Sequence, residues 1–203
     1  MQRLIDAALE LMSNPGAGDL TVQNVAERAG LSLRAFYHHF PSKDDLLLAV
    51  FEEAIQTTTR SLEEEVAASS DPLDRLRIFT TEYYRTCRTG RTQHSDQRLP
   101  GRNLGQFAYQ LLFDHPQEAA HAFAPLVSSL RRLLDDAAAA GAIRSGRDHE
   151  QVAGIVLQSI MFNGFATTIT GSTTDDYTGR GDLFWELLSH GLAGDSGTGG
   201  DRP

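Results

Sequence analysis

The sequence is poor in cysteine: Cys87 is the one thiol among 203 residues. A single cysteine cannot form an intrachain disulfide, and it cannot supply a zinc site built from several thiolates. The N-terminus also lacks a basic segment followed by an apolar core and a cleavage site, which are the parts of a secretory signal. We therefore expect a reducing, cytoplasmic compartment.

Positive charge is also scarce, because 18 Lys and Arg stand against 27 Asp and Glu, for a formal net charge of -9. A chain with this charge does not attract polyanions over its whole surface, so any nucleic-acid contact must be local. The 40% of hydrophobic and 22% of charged residues are nevertheless typical of a folded soluble protein. This composition excludes disorder as the main state.

Long hydrophobic runs are equally rare. The nearest approach to a membrane span is the uncharged stretch 151–174, which has about the length needed to cross a bilayer. Polar residues such as Gln158, Asn163 and Thr167 interrupt it. We therefore predict a helix buried on several sides of a soluble assembly, with no membrane contact.

Strand-like alternation is absent over any useful length, and helical periodicity dominates the chain, which predicts an all-α protein. Glycine, proline and serine clusters separate the helical segments. Polar residues 89–102 are predicted to form a loop, and the Gly-rich tail 194–203 is predicted to be disordered. The predicted helices span residues 2–12, 21–30, 33–40, 43–68, 72–88, 103–113, 116–140 with a kink or break before Pro125, 148–170 and 182–192.

Residues 21–43 have the anatomy of a helix-turn-helix. Ala26 and Ala29 are small where two helices must cross closely, and Gly30 permits a left-handed turn between them. Thr21 and Ser32 are suited to cap the two helices through their hydroxyls. A helix that begins at a Ser cap has free amides and a positive dipole end, which suit the approach to a phosphate-lined groove.

Four segments of this region carry a family resemblance, and their combined spacing makes the match specific. They resemble the DNA-binding domain of the TetR family of bacterial transcriptional regulators over about residues 1–51, whereas the rest of the chain resembles that family only in being all-helical and of the expected length. The segments are Val25-Ala26, Ala29-Gly30-Leu31-Ser32, Phe36-Tyr37-His38-His39-Phe40 and Ser42-Lys43-Asp44-Asp45-Leu46-Leu47.

The resemblance implies a three-helix DNA-binding domain over 1–51, joined by the long helix 43–68 to a larger ligand-binding and dimerisation bundle over 52–193. If Phe36 and Phe40 face inward, Tyr37 lies about 100° away at the rim, where its hydroxyl can reach a phosphate. Base contact by Arg34 stays open. The candidate DNA-binding residues are Thr21, Ser32, Leu33, Arg34, Tyr37, His38 and Lys43.

Charge supports a local DNA footprint within residues 20–43. Arg28, Arg34 and Lys43 stand against Glu27, which gives a net charge of +2 and leaves -11 for the rest of the chain. The acidic remainder is expected to stay away from the DNA.

A constellation that could support catalysis is missing, since there is no phosphate-cradling glycine loop, nucleophile elbow or zinc signature. Glu118 and His121 have the spacing of half a di-iron carboxylate site, but such a site needs a second copy and two further glutamates. His38 and His39 are adjacent and cannot share a helix face as a metal pair. Cys87 is interpreted as a buried apolar residue. We predict no enzyme activity, no cofactor and no metal site.

The second domain is rich in aromatic residues, and the resemblance implies that it binds a small effector. Helical bundles hold ligands in apolar cavities lined by a few polar groups, which Tyr84, Asn163, Thr167 and Gln110 could supply. We expect a mainly apolar effector. The candidate ligand-binding residues are Phe79, Tyr83, Phe107, Phe123, Met161 and Phe165.

Helix 148–170 has two apolar faces, one of which can face the bundle and the other a partner subunit. Ala153, Leu157, Ile160, Met161 and Gly164 form one face, and the sequence leaves open which face is which. The resemblance implies that the last two helices of each subunit form a four-helix dimer interface. The candidate dimer residues are Ile155, Ser159, Phe162 and Ala166 of this helix and Phe184, Leu187 and Leu188 of the last one.

The predicted function is that of a homodimeric TetR-like transcriptional regulator. It would repress by binding a palindromic double-stranded operator, because a two-fold dimer suits a two-fold site, and a small apolar effector would release it. The alternative is a dimeric small-molecule binding or interaction protein without specific DNA readout. Salt-dependent binding to a palindromic fragment separates the two, since the alternative would bind weakly and without regard to sequence.

Overall fold

The computed structural model describes residues 1–13, 19–89, 113–169 and 179–192. Within these ranges every regular element is helical, so the predicted all-α fold class is confirmed. The eight helices are α1 (Gln2–Ser13), α2 (Val22–Ala29), α3 (Leu33–His39), α4 (Lys43–Val66), α5 (Pro72–Thr89), α6 (Pro116–Ala139), α7 (His149–Ile169) and α8 (Arg180–Leu192).

Each of these helices agrees with its predicted range to within about two residues. Asp71 caps α5, because the carboxylate of Asp71 accepts from the amide of Leu73 at 2.8 Å. Asp148 likewise accepts from the amides of Glu150 and Gln151 at the start of α7. Most of the predicted helix 103–113, most of the predicted loop and the tail lie outside the described residues, and Phe113 at the end of that helix is helical.

The sequence predicts a kink or a break before Pro125, and the break is wrong, because the 24-residue helix α6 runs through this proline without interruption. A proline inside a helix removes one hydrogen bond and costs about 3 kcal/mol. On both sides of Pro125, however, α6 buries side chains against its neighbours, and each large apolar side chain recovers about 1.5–3 kcal/mol. The buried residues include Ala119, Ala122, Leu126, Leu130 and Leu134. Packing therefore overrides the local preference of the proline.

Two hydrophobic cores lie along the chain, and α4 contributes to both. Its first half adds Leu46, Leu47 and Val50 to a core formed with α1, α2 and α3. Phe51 and the residues after it, including Leu62, pack into a second core with α5, α6, α7 and α8. A helix of 24 residues is about 36 Å long, so α4 connects the two cores as a single continuous element.

The uncharged stretch 151–174 overlaps α7, whose end at Ile169 is the last described residue of that stretch. No helix within the described ranges combines the length and the apolar character that crossing a membrane requires.

Candidate functional site

The chain turns sharply between α2 and α3 at Gly30. Thr21 Oγ1 accepts from the Asn24 amide at 3.1 Å, which caps α2 as its sequence indicated. Gly30 adopts φ +65°, in the left-handed region that glycine tolerates. Its amide donates to the carbonyl of Glu27 at 3.0 Å, and the Leu31 amide donates to that of Ala26 at 2.8 Å. These bonds satisfy the last carbonyls of α2 and aim the chain into α3.

The short helix α3 has an inner and an outer side, as the helix-turn-helix pattern predicts. Phe36 is 0% exposed and Phe40 is buried, and their ring centroids lie 6.0 Å apart. Tyr37 is 56% exposed, with the edge of its ring against Phe36 at 5.3 Å. The predicted DNA-contacting residues of this helix lie on the outer side, namely Leu33, Arg34, Tyr37 and His38.

The beginning of α3 also lies at the surface. Ser32 is exposed, and its Oγ accepts from the Ala35 amide at 3.2 Å, which fixes the first turn of the helix. The remaining amides of that turn have no intrahelical partner and can receive an anion.

A capping box begins α4 and places Lys43 at the surface. Ser42 Oγ accepts from the Asp45 amide at 3.1 Å, and the Ser42 amide donates to Asp45 Oδ2 at 2.9 Å. Lys43 is the first residue of α4 and is exposed. The spacing of Ser42 and Asp45 in the sequence is itself the signal for such a box.

The charges of this surface differ from what the sequence count suggested. Arg28 Nη1 lies 2.6 Å from Glu10 Oε1, so an acid of α1 balances the charge of this arginine. Arg34 and Lys43, in contrast, form no ion pair with any residue that the structure describes. The available positive charge is therefore concentrated at α3 and at the start of α4, and Arg28 adds little to it.

Of the candidate ligand-binding residues that the structure describes, Phe79, Tyr83 and Phe123 lie within or against the second core. Phe79 and Tyr83 are buried on α5, Met161 is half-buried on α7, and Phe123 packs edge-on against Phe51 with ring centroids 5.1 Å apart. Phe107 and the side chain of Phe165 lie outside the described part of the chain. Ligand contact by these six residues stays a prediction.

Cys87 packs beside Tyr83 at the edge of this core. Burial raises the pKa of the Cys87 thiol to about 12, and it raises the pKa of the Tyr83 hydroxyl well above its ordinary value. The thiol is therefore neutral near pH 7, although Cys87 is half-buried and not fully buried as its interpretation from the sequence has it.

Two grooves open on the second domain. The first, of about 440 Å³, lies between α4, α5 and α6, and its polar wall joins α4 to α6, because Glu63 accepts from Arg132 at 2.7 Å and from Ser129 at 3.0 Å. The second, of about 320 Å³, lies between α5, α7 and α8. In it the Tyr84 hydroxyl donates to Asn163 Oδ1 at 2.8 Å.

The structure distinguishes the two faces of α7. Ala153, Leu157 and Ile160 are buried in the second core, whereas Ile155 is 64% exposed and Phe162 is 61% exposed. The core therefore takes the first face, and the exposed face is the one assigned to the dimer candidates. Ser159 is also exposed, and the side chain of Ala166 lies outside the described residues.

On α8 the exposed apolar side chains include Leu187, at 68%, and Leu183. Phe184 and Leu188, which were predicted to contact a partner, are half-buried and pack partly against the core of their own subunit. Leu183, which the candidate set did not include, extends the exposed apolar surface.

Metal ligation has no geometric support in the part of the chain that the structure describes, where no three His, Cys, Asp or Glu side chains are grouped to hold an ion. His38 and His39 lie with ring centroids 5.5 Å apart at the end of α3.

Comparison with known proteins yields a family match for the N-terminal part and a fold match for nearly the whole chain. Residues 4–50 match the family of bacterial regulatory proteins described as the tetR family. The HTH-type transcriptional regulator BetI of Brucella canis is 32% identical over 75 residues, which cover 37% of this chain and 38% of BetI. The chain thus matches well under half the length of this curated relative.

Two solved structures share the fold. The transcriptional regulator FadR from Bacillus subtilis, in complex with stearoyl-CoA, is similar with a TM-score of 0.71 and 19% identity, over 94% of this chain and 98% of that one. A TetR-family regulator from Rhodococcus sp. is similar with a TM-score of 0.72 and 18% identity, over 95% and 100% of the two chains. Both similarities establish the all-helical architecture.

Proposed function

We propose that the chain is a member of the TetR family of bacterial regulatory proteins, whose model matches residues 4–50, and that it represses transcription by binding a palindromic operator as a homodimer that a small effector releases. The observation that carries this proposal is the two-sided α3, which buries Phe36 and turns Tyr37 and Arg34 outward. A short helix held in this way can enter a major groove and present side chains to it.

We assign the DNA contacts by chemistry. The hydroxyls of Thr21, Ser32 and Tyr37 and the ammonium of Lys43 suit phosphate oxygens, which position a protein on the duplex without reading its sequence. Arg34 has the donor geometry that recognises guanine edges, whereas Leu33 offers an apolar contact and His38 a further donor. Recognition of a particular sequence then depends mainly on Arg34.

We assign the dimer interface to the exposed face of α7 and to α8. Ile155, Phe162, Leu183 and Leu187 are large apolar side chains exposed on these two helices, and several exposed large apolar side chains are typical of a protein interface. A second copy of the same surface would cover it, because two-fold interfaces are self-complementary. Ser159, Ala166, Phe184 and Leu188 complete the proposed interface.

We assign effector binding to the second core, near Phe79, Tyr83, Phe107, Phe123, Met161 and Phe165. The helix α4 can transmit the effector's presence, since its start lies in the first core and its later residues Phe51 and Glu63 contact Phe123 and Arg132 of α6. A shift of α4 would change the spacing of the two α3 helices from the 34–36 Å, approximately, that adjacent major grooves require.

We assign DNA binding to residues 1–51 and effector binding and dimerisation to residues 52–193, with 194–203 as a tail. The two separate cores on α4 support this division. The protein would act in the cytoplasm, where its operator lies.

Substitutions on the outer side of the helix-turn-helix test the proposal. Arg34→Ala should change which duplex sequences are preferred, whereas Lys43→Ala and Tyr37→Phe should weaken all sequences alike. Lys43→Ala should also lower the slope of log affinity against log salt by about one unit per subunit. Arg60→Ala is the matched control, because Arg60 is exposed on the same helix about 25 Å from Lys43.

If Lys43→Ala changes neither the DNA affinity nor the salt slope, Lys43 does not contact DNA. Weak, sequence-blind binding by the wild type would instead favour the dimeric small-molecule binding protein without specific DNA readout.

The effector switch has its own test, because linkage is reciprocal. If a ligand weakens operator binding by some factor, operator DNA must weaken ligand binding by the same factor. Titrating mainly apolar candidate ligands with and without the operator measures both. If every tight-binding ligand had equal affinity in the two titrations, the switch would be absent.

A further inference from the structure

The side chain of Arg3 lies against the turn of the helix-turn-helix. Arg3 is in the first turn of α1, and a β-carbon built on Gly30 would come within 2.9 Å of its Nη2. The guanidinium therefore occupies the space that any side chain at position 30 would need. The absence of a side chain at Gly30 therefore allows the left-handed turn and also leaves room for the end of the Arg3 side chain.

The charge of Arg3 is not balanced by a neighbouring acid. Arg3 is exposed and forms no hydrogen bond or ion pair within the described ranges. The acidic side chains of α1 and α2 are engaged elsewhere: Asp6 accepts from Gln2 at 3.0 Å, Glu10 pairs with Arg28 at 2.6 Å, and Glu27 accepts from Gln23 at 3.3 Å. Arg3 is therefore a cation available to an external anion.

The position of this cation relates it to the outer side of α3. Gly30 precedes Ser32, the cap of α3, by two residues, so their Cα atoms are separated by at most about 7 Å. The guanidinium thus lies beside the end at which α3 would enter a groove. Phosphates line both edges of a major groove, and those at the entry of the helix come nearest to this end of α3.

We propose that Arg3 binds a phosphate of the DNA backbone, with Gly30 holding the guanidinium in place for this contact. The inference rests on the proposed DNA-binding function and adds α1 to the DNA surface. A guanidinium presents two parallel donors that match two phosphate oxygens, and such a contact is indifferent to base sequence. Each subunit would then place three cations on the DNA, from Arg3, Arg34 and Lys43. Arg28 would not be among them, because it pairs with Glu10.

The experiment uses the full chain and a 30-bp duplex of mixed sequence, because a phosphate contact acts on any sequence. Affinity is measured between 50 and 200 mM KCl for the wild type, Arg3→Gln, Arg3→Lys and the control Arg60→Gln. We expect Arg3→Gln to lower the salt slope by about 0.9 per bound subunit and to weaken binding about tenfold at 50 mM KCl. Arg3→Lys should keep the slope, and Arg60→Gln should match the wild type.

Two glycine variants test the role of Gly30. Gly30→Ala and Gly141→Ala both place a side chain at a left-handed residue, with φ of +65° and +72°, but nothing lies within 4 Å of the new β-carbon at position 141. Only Gly30→Ala displaces the guanidinium. We therefore expect Gly30→Ala, and not Gly141→Ala, to lower the salt slope, and to lower it no further in an Arg3→Gln background.

The outcomes separate this inference from the proposed function. If Arg3→Gln leaves the slope unchanged while Lys43→Ala lowers it, Arg3 makes no DNA contact although the protein binds DNA. Equal losses of affinity and of thermal stability in Arg3→Gln and Arg3→Lys would show that Arg3 only packs on the turn, which also overturns the inference. If the wild type binds no duplex at 50 mM KCl, both proposals fail.

Discussion

The outer side of the helix-turn-helix and the exposed face of α7 and α8 differ in the polarity of the side chains that they expose. At the helix-turn-helix, side-chain caps at Thr21, Ser32 and Ser42 satisfy the helix starts, and the outward residues are mostly polar. On α7 and α8 large apolar side chains such as Phe162 and Leu187 face outward. The first surface suits a polar ligand, whereas the second exposes apolar side chains of the kind that an apolar partner would cover.

The two surfaces therefore respond to mutation in different ways. Burying four large apolar side chains contributes about 1.5–3 kcal/mol each, so the surface on α7 and α8 can contribute on the order of 10 kcal/mol per subunit before the entropy of association is subtracted. The proposed DNA surface would depend largely on the charges of Arg34 and Lys43, whose contacts with phosphates weaken with salt. Assembly should depend on shape and burial, and DNA binding on charge.

The largest effect is expected from a charge on the apolar surface. Phe162→Glu or Leu187→Glu should give monomers, because burying an unpaired carboxylate in the interface costs several kcal/mol. These monomers should lose operator binding, since one half-site is too weak at physiological salt. Sedimentation equilibrium measures the assembly, and Gln56→Glu, on an exposed site of α4, is the control. A monomeric wild type would remove the dimer proposal.

The next effect compares adjacent residues on the two sides of α3. Phe36→Ala should destabilise the N-terminal domain by about 3–5 kcal/mol, because it leaves a cavity in a fully buried site. Tyr37→Ala should cost under about 1 kcal/mol of stability, yet it should weaken DNA binding. Urea unfolding together with DNA titration separates the two effects. A Tyr37→Ala variant as unstable as Phe36→Ala would contradict the two-sided description of the helix.

A smaller effect is expected at the start of α4. Ser42→Ala removes the capping box with Asp45 and should cost about 1 kcal/mol of stability. Ser70→Ala, in the segment between α4 and α5, is the comparison, with an expected change within about 0.5 kcal/mol. The midpoint of urea unfolding reports both. Equal midpoints would mean that the capping box contributes nothing measurable.

A separate effect, confined to alkaline pH, concerns Cys87. Its thiol titrates near pH 9 when unfolded, and in the folded chain burial raises its pKa to about 12. Unfolding therefore releases a proton between these values, so stability is full below about pH 9 and falls with rising pH by at most about 1.4 kcal/mol per unit. Cys87→Ala should flatten this decline between pH 9 and 10.5. A decline of the same steepness in both proteins would assign it to other groups, such as Tyr83.

The helix-turn-helix could be predicted from sequence because its determinants are local. Thr21, Ser32 and Gly30 each act within a few residues of their own position, and the resulting caps and turn agree with the prediction. The capping box of Ser42 and Asp45 is also local, so its spacing can be recognised in the sequence. Local chemistry of this kind does not depend on what the rest of the chain does.

Features that depend on neighbouring helices could not be predicted. The break at Pro125 is absent because packing of α6 outweighs the proline, and both faces of α7 are apolar, so only the contacts of Ala153 and Leu157 distinguish core from surface. Two contacts join positions that are distant in sequence: Arg28 pairs with Glu10, and the end of the Arg3 side chain lies beside Gly30. Tertiary packing decides each of these features.

The measurement that tests the central claim most directly is selection of bound duplexes from a random pool by the wild-type protein at physiological salt. A dimer that presents two α3 helices should enrich a palindrome whose half-sites are centred about 34–36 Å apart, or a small multiple of one helical turn. Arg34→Ala should enrich a different palindrome or none. Binding that enriches no sequence would contradict specific readout by α3, and with it the proposal that this protein is a repressor.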